Sequence, residues 1–149
     1  MSTIDEKDEL IINALRQDSN KPISRLSKEI GIPRATLQDR INKLVKQGII
    51  KKFTIIPDFG KLGRPVTAFV MVSFHPSPEI SQRELARQIA MLPEVEEVHL
   101  ISGEWDILVK IRVKDVESAG SFVIDKIRSM KGVEKTETCV SFECVKEGL

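Results

Sequence analysis

The sequence has little of the chemistry that marks a metalloprotein, an enzyme, a secreted scaffold or a membrane protein. It holds two cysteines, Cys139 and Cys144, and two histidines, His75 and His99, distant from each other in the chain. A structural zinc site takes about four ligands, so no metal centre is expected. The two cysteines fall in one predicted strand an odd number of positions apart, which points them to opposite faces and prevents them from bridging within that strand. Buried, reduced thiols are the expectation. No Ser/His/Asp or Cys/His arrangement, Gly-rich phosphate loop or paired catalytic carboxylates are present, so an enzyme is not expected. No apolar run approaches the roughly 20 residues that span a bilayer. The start, Met-Ser-Thr-Ile-Asp-Glu-Lys-Asp-Glu, lacks the apolar core of a secretion signal. A cytoplasmic protein with no membrane partner is expected.

What is present is an uneven charge on an ordinary soluble composition. The 149 residues are 41% hydrophobic and 30% charged, with a net charge of +1, enough chain for one ordinary domain or two small ones. Residues 1–64 carry 13 Lys/Arg against 8 Asp/Glu, a net of +5, and residues 65–149 carry 10 against 14, a net of −4. Within 21–52 the count is 9 against 2, or +7. A basic segment inside a near-neutral chain points to a local polyanion contact.

That basic segment has the pattern of a winged helix-turn-helix. Residues 5–18 place Leu10, Ile11, Ala14 and Leu15 at helical spacing, with Asp5, Glu6, Asp8 and Glu9 in the first turn, where the helix dipole favours acids. Ser24 is placed to cap a short second helix, which Gly31 ends. Pro33 opens a third helix, with a stripe of Leu37, Ile41, Leu44 and Val45, and Gly48 ends it. Residues 49–56 are β-rich and include Lys51 and Lys52. An α-helix fits the major groove, and side-chain chemistry suggests roles. Arg34 can donate bidentately to guanine, and Gln38 and Asn42 can pair with adenine edges. Asp39 can accept from cytosine N4, or it holds Arg40 or Lys43. Lys43, Lys46, Lys51 and Lys52 suit phosphates, and Ser24 and Arg25 open a helix whose backbone N–H groups can meet another. Double-stranded DNA is the expected partner.

The second half changes character. Val66–Phe74 is an apolar run read as a strand buried on both faces, followed by a helix carrying Leu85, Ile89 and Leu92. A strand over 95–102, the tight connection Gly103-Glu104-Trp105 and an alternating strand over 106–113 come next. Asp115 begins a helix with Val116, Val123, Ile127 and Met130 as core, and residues 133–145 form a last strand. The order is βαββαβ, a ferredoxin-like arrangement. The fold class is therefore α+β: a winged helix-turn-helix over 1–52, a β-linker or hinge over 53–65, and a ferredoxin-like domain over 66–149. Phe122 and Lys126 lie i, i+4 on the last helix and off its core stripe, which suggests an oligomer contact, favoured slightly, or the wall of a pocket. Trp105 carries the same two readings.

The chain resembles the Lrp/AsnC (feast/famine) family of bacterial and archaeal regulators over essentially its whole length. The resemblance is carried by Asp5, Ile11-Ile12, Leu15 and Asp18, by Ile23-Ser24-Arg25-Leu26-Ser27, and by Gly31-Ile32-Pro33. It continues in Arg40-Ile41-Asn42-Lys43-Leu44, Gly48-Ile49-Ile50, Pro57 and Leu62-Gly63. In the second half it rests on Gly103-Glu104-Trp105-Asp106 and Gly132-Val133-Glu134-Lys135-Thr136-Glu137-Thr138. The resemblance implies a transcriptional regulator that dimerises through its second domain, often assembles to an octamer, and binds a free amino acid or related metabolite between second domains, with no cofactor. It implies that Gly103 to Asp106 is the effector loop. That fits physically: backbone N–H groups at Gly103 can approach a carboxylate, and Asp106 can hold an α-ammonium group. Thr136 and Thr138, on one strand face, can add hydroxyls.

Two other readings compete. Some haem-biosynthesis decarboxylases resemble the family, but holding an anionic tetrapyrrole calls for clustered His and Arg, and the second domain is net acidic. An architectural DNA-binding protein without an effector predicts similar affinity for random and promoter DNA, whereas a specific regulator prefers its operator by roughly 10³-fold or more.

Overall fold

A computed structural model describes residues 4–147. The chain divides into two units, with the boundary between Ile56 and Pro57. The first unit holds α1 (Glu6–Gln17), α2 (Ile23–Ile30) and α3 (Arg34–Lys46). Asp5 caps α1: its carboxylate accepts from the backbone N–H of Asp8 at 2.9 Å, and the Asp8 carboxylate accepts from the N–H of Asp5 at 3.2 Å. Pro22 and Pro33, at ψ 141° and 143°, occupy the extended positions just before α2 and α3. Ser24 is therefore inside α2 rather than its cap, and Arg34 rather than Pro33 is the first residue of α3. Proline suits such entries because it brings no N–H to satisfy.

Between α2 and α3 the backbone passes through Gly31 at φ +69°. A side chain there would crowd the following carbonyl, so the left-handed residue favours glycine. Ser27 Oγ donates to the carbonyl of Ile32 at 2.6 Å across this turn. The turn lets Ile11, Leu26, Ile32, Leu37, Ile41 and Leu44 meet in one core, each at most 6% exposed. After α3 the chain turns at Gly48 (φ +72°). The β-rich stretch 49–56 forms no strand; residues 51–56 have no regular secondary structure and are exposed. A β-forming composition needs a neighbouring strand to complete its hydrogen bonds.

The second unit runs from Pro57 to Glu147 and contains β1 (Val66–Phe74), α4 (Gln82–Ala90), β2 (Val95–Leu100), β3 (Ile107–Val113), α5 (Val116–Ser121, continuing as a π-helix over Phe122–Ile127) and β4 (Val133–Val140). The sheet is antiparallel with strand order β2-β3-β1-β4. Ala68, Val70 and Val72 on β1 and Ile107, Val109, Ile111 and Val113 on β3 point to the helices and form the core with Leu85, Ile89, Val123 and Ile127. The other face of β1 is half covered, with Phe69 and Met71 only partly buried.

Four expectations need correction here. Phe122 is 3% exposed and part of the core, while Val116, expected in the core, is 59% exposed. The cause is the π-helix, in which Arg128 N–H reaches back five residues to the Val123 carbonyl at 2.9 Å. Each such turn takes up an extra residue, so one 3.6-residue wheel drawn over 116–130 puts the wrong side chains inward. The last strand ends at Val140, not Val145, and so Cys144 lies outside it. Both cysteines are exposed rather than buried. No helix among the described residues is long and apolar enough to cross a membrane.

Candidate nucleic-acid interface and effector loop

Eight of the nine cations of the basic segment fall into two groups; the ninth, Lys28, is exposed on α2. Lys21 and Arg25 both pair with Glu29, at 2.8 and 3.2 Å. Arg40 turns away from the exposed side of α3 and places Nη1 2.8 Å from both carboxylate oxygens of Asp5 and 2.8 Å from Asp8 Oδ1. Arg34, Lys43, Lys46, Lys51 and Lys52 are exposed and form no ion pair with another described residue. Their charges project from one end of α3, its outer side and the stretch that follows it. Lysine and arginine free of internal partners are the groups that can displace counterions from phosphates.

The remaining α3 candidates, Gln38, Asp39 and Asn42, are also exposed. Gln38 Nε2 donates to Asn42 Oδ1 at 3.0 Å, which orients both amides along one flank. Asp39 holds neither Arg40 nor Lys43; Arg40 is taken by Asp5 and Asp8. Arg25 is 70% exposed at its side chain despite its tie to Glu29, and Ser24 is half-buried. Sequence reasoning assigned Asp5 and Asp8 to the helix dipole alone. The signal for their second role was their spacing: an N-cap acid and another three residues on converge on one point, where a cation can bind both. The Asp8 N–H, then the Arg40 guanidinium, hold the Asp5 carboxyl below its ordinary range.

In the second unit the loop Gly103–Asp106 joins β2 to β3, with Gly103 at φ +115°. The Asp106 carboxylate is already engaged: Oδ2 accepts from the backbone N–H of Phe74 at 2.7 Å. Its carbonyl accepts from Ile101 N–H and from Gln82 Nε2, both at 3.0 Å. Asp106 thus ties the loop to the end of β1 and to α4. Lys135 lies 5.1 Å from the Trp105 ring centroid and 3.8 Å from Glu104. Thr136 is half-buried and accepts from Arg128 Nε at 3.1 Å, and Thr138 is exposed. Lys126 is separate from this group. It pairs with Glu94 at 2.5 Å beside a cavity of about 340 Å³ that also borders Phe122, Asp115 and Asp125 but none of the loop or the threonines. Burial pushes the Glu94 carboxyl up, but the hydrogen bond and charge of Lys126, together with a bond from Glu94's own backbone, hold it below its ordinary range.

A residue overlooked in the sequence is Arg112. It is 8% exposed, on the face of β3 away from the helices, with its guanidinium 4.3 Å from the Phe59 ring and paired with Glu147. Phe59 is the apolar residue in the turn that precedes β1, so this contact fastens that turn to the sheet.

A three-helix reading head followed by a βαββαβ unit with a tied Gly-x-x-Asp loop defines a DNA-binding transcriptional regulator with a ligand-binding domain. Residues 4–51 match the winged helix-turn-helix DNA-binding model, and residues 67–149 match the Lrp/AsnC ligand binding domain. The chain belongs to the Lrp/AsnC family. It is 46% identical over 144 residues to an HTH-type transcriptional regulator of Pyrococcus horikoshii, covering 97% of this chain and 96% of that one. A second such regulator, from Pyrococcus furiosus, is 45% identical over 144 residues, covering 97% and 96%. Among solved structures, a Neisseria meningitidis transcriptional regulator in complex with L-methionine superposes with a TM-score of 0.91 at 22% identity, covering 98% of this chain and 94% of that one. A feast or famine regulatory protein of M. tuberculosis complexed with L-methionine gives 0.86 at 19%, covering 97% and 96%. At such identities these two structures speak to the fold.

Proposed function

We propose that the protein is a sequence-specific regulator whose first unit reads duplex DNA with α3 and whose second unit dimerises and binds an amino acid. The observation that carries this reading is the group of exposed, internally unpaired cations on and after α3, beside a polar flank of Gln38, Asp39 and Asn42. Arg34, at the helix entry, reaches base edges together with that flank, while Lys43, Lys46, Lys51 and Lys52 neutralise phosphates. Ser24 and Arg25 bring the start of α2 to the backbone. A dimer sets two such helices in successive major grooves of a pseudo-palindromic site, about 10 bp apart or a multiple of that.

In the second unit the proposed effector is a free α-amino acid, supported by the L-methionine complexes of the two structural neighbours. Its carboxylate meets backbone N–H groups of Gly103–Trp105, and Trp105, Thr136 and Thr138 line its surroundings. Asp106 holds the loop in shape through Phe74. Phe122 and Lys126, which border a separate cavity, are left out of this site.

Lys46→Ala is expected to weaken binding to all duplexes alike and lower the slope of log K against log salt by about 0.9. Arg34→Ala is expected to relax base preference at one position by about 1–3 kcal/mol. Electrophoretic or fluorescence titrations over a salt series, with a duplex enriched from a random pool and a scrambled one, separate the two. Equal affinity of the unaltered protein for both duplexes refutes sequence-specific reading.

A further inference from the structure

We propose that Arg40, clamped by Asp5 and Asp8, is a positioning residue that sets the roll of α3 about its own axis, and so the placement of the base-reading side chains Asp39 and Asn42 against DNA. It rests on α3 being the reading helix. The core stripe Leu37, Ile41 and Leu44 holds α3 against α1 and α2 along one line. Contact along one line leaves rotation about it weakly resisted, and the two flanks of the helix differ in how they resist it.

On one flank stands Arg40, 27% exposed at its side chain and bonded to three carboxylate oxygens. Those oxygens are themselves immobilised. Asp5 and Asp8 exchange backbone bonds at the start of α1, and Asp8 is 7% exposed. The guanidinium is therefore tied to the end of a helix rather than to two free side chains, and its planar fork loses little freedom on binding there. On the opposite flank, Gln38, Asn42, Val45 and Lys46 border an open groove of about 480 Å³ whose other lining includes Leu15 and Phe53. Nothing among the described residues fills that groove, so packing does not oppose a roll toward it. Side-chain tips lie roughly 5–6 Å from a helix axis, so a roll of about 20° moves them by about 2 Å. That distance separates a hydrogen bond to a base edge from none.

Arg40 lies in the most basic part of the chain, yet its charge is spent inside the protein. Its removal should therefore change base preference without changing the count of phosphates neutralised. The test measures affinity of the full-length protein for a duplex enriched from a random pool and for a scrambled duplex, over a salt series, with folding followed by urea denaturation. Arg40→Met is expected to lower the preference for the enriched duplex by about tenfold, with the salt slope unchanged. Arg40→Lys is expected to recover part of it. Asp5→Asn keeps a good N-cap and is expected to reproduce the loss. The pair R40M and D5N combined should be no worse than the stronger single change, since both break one contact. Adding Ser19→Leu, which fills the groove beside Leu15, is expected to restore part of the preference in R40M.

A salt slope lower by about 0.9 in R40M makes Arg40 a phosphate contact and overturns the proposal. So does an unchanged preference in a folded R40M, or in folded D5N should R40M not fold. Asn42→Ala separates the levels. If N42A loses the preference and R40M keeps it, the clamp alone fails. If N42A also keeps it, α3 is not the reader and the proposal falls with that assignment.

Discussion

At Gly132 the backbone has φ +87°, and a Cβ there would lie 2.9 Å from Phe74 Cε2 and 3.1 Å from Ile80 Cγ2. Both the conformation and the space exclude a side chain. Gly132→Ala is expected to destabilise the second unit by about 2 kcal/mol or more, seen as a lower urea midpoint at constant slope. The sequence marks Gly132 as the cap of the last helix, but that helix ends at Ile127 and Gly132 stands in the turn before β4. Its closeness to Phe74 was not legible, because it joins residues far apart in the chain. Phe122 shows the same limit in reverse. Its spacing on an ideal helix put it outside the core, and a π turn, which leaves no clear mark in residue order, brought it in.

At the scale of elements, the helix entries hold much of the charge that acid would disturb. Asp115 caps α5, accepting from Ser118 Oγ at 2.6 Å and Ser118 N–H at 2.7 Å. Those bonds, the hydroxyl first, hold its carboxyl below the ordinary range. A lowered folded value means that the stabilisation is complete above the unfolded value and is lost as pH falls through the folded one. The Asp5 carboxyl is lowered in the same sense, by the Asp8 N–H and then Arg40. Thermal melts from pH 7 to pH 3 should therefore fall most steeply at the acid end. Asp115→Ala should lower the melting temperature at neutral pH, through loss of the cap, and show a shallower acid limb. The positions of the helices and of β3 were readable from periodicity, because each buries one face; β1 was readable as an apolar run, although the expectation that both its faces are fully buried fails at Phe69 and Met71. The stretch 49–56 was not, since β-rich residues become a strand only beside a partner.

For the whole molecule the open question is linkage between the two binding activities. A ligand shifts an equilibrium only by its differential affinity for the two states. A screen of the twenty amino acids by thermal shift, with and without the enriched duplex, should find at least one that raises the melting temperature, with a shift that differs when DNA is present. At 100 times its Kd such a ligand stabilises by about 2.7 kcal/mol. No shift with any of the twenty overturns the amino-acid reading. A ligand whose shift is the same with and without DNA, and which leaves assembly size unaltered, shows that effector and DNA are uncoupled.

Taken alone, residue order determined the two-part organisation, the helix-turn-helix with its Gly31 bend, the βαββαβ order and the family, because each is written in local periodicity, turn residues or short ordered motifs. Tertiary structure decided which charges are free. Arg40 and Asp106 have the chemistry to meet DNA or an amino acid, yet one is bound to the start of α1 and the other to the end of β1. Whether a charged side chain faces a ligand or its own protein depends on what folding places within about 3 Å of it, and that neighbour can come from any distance along the chain.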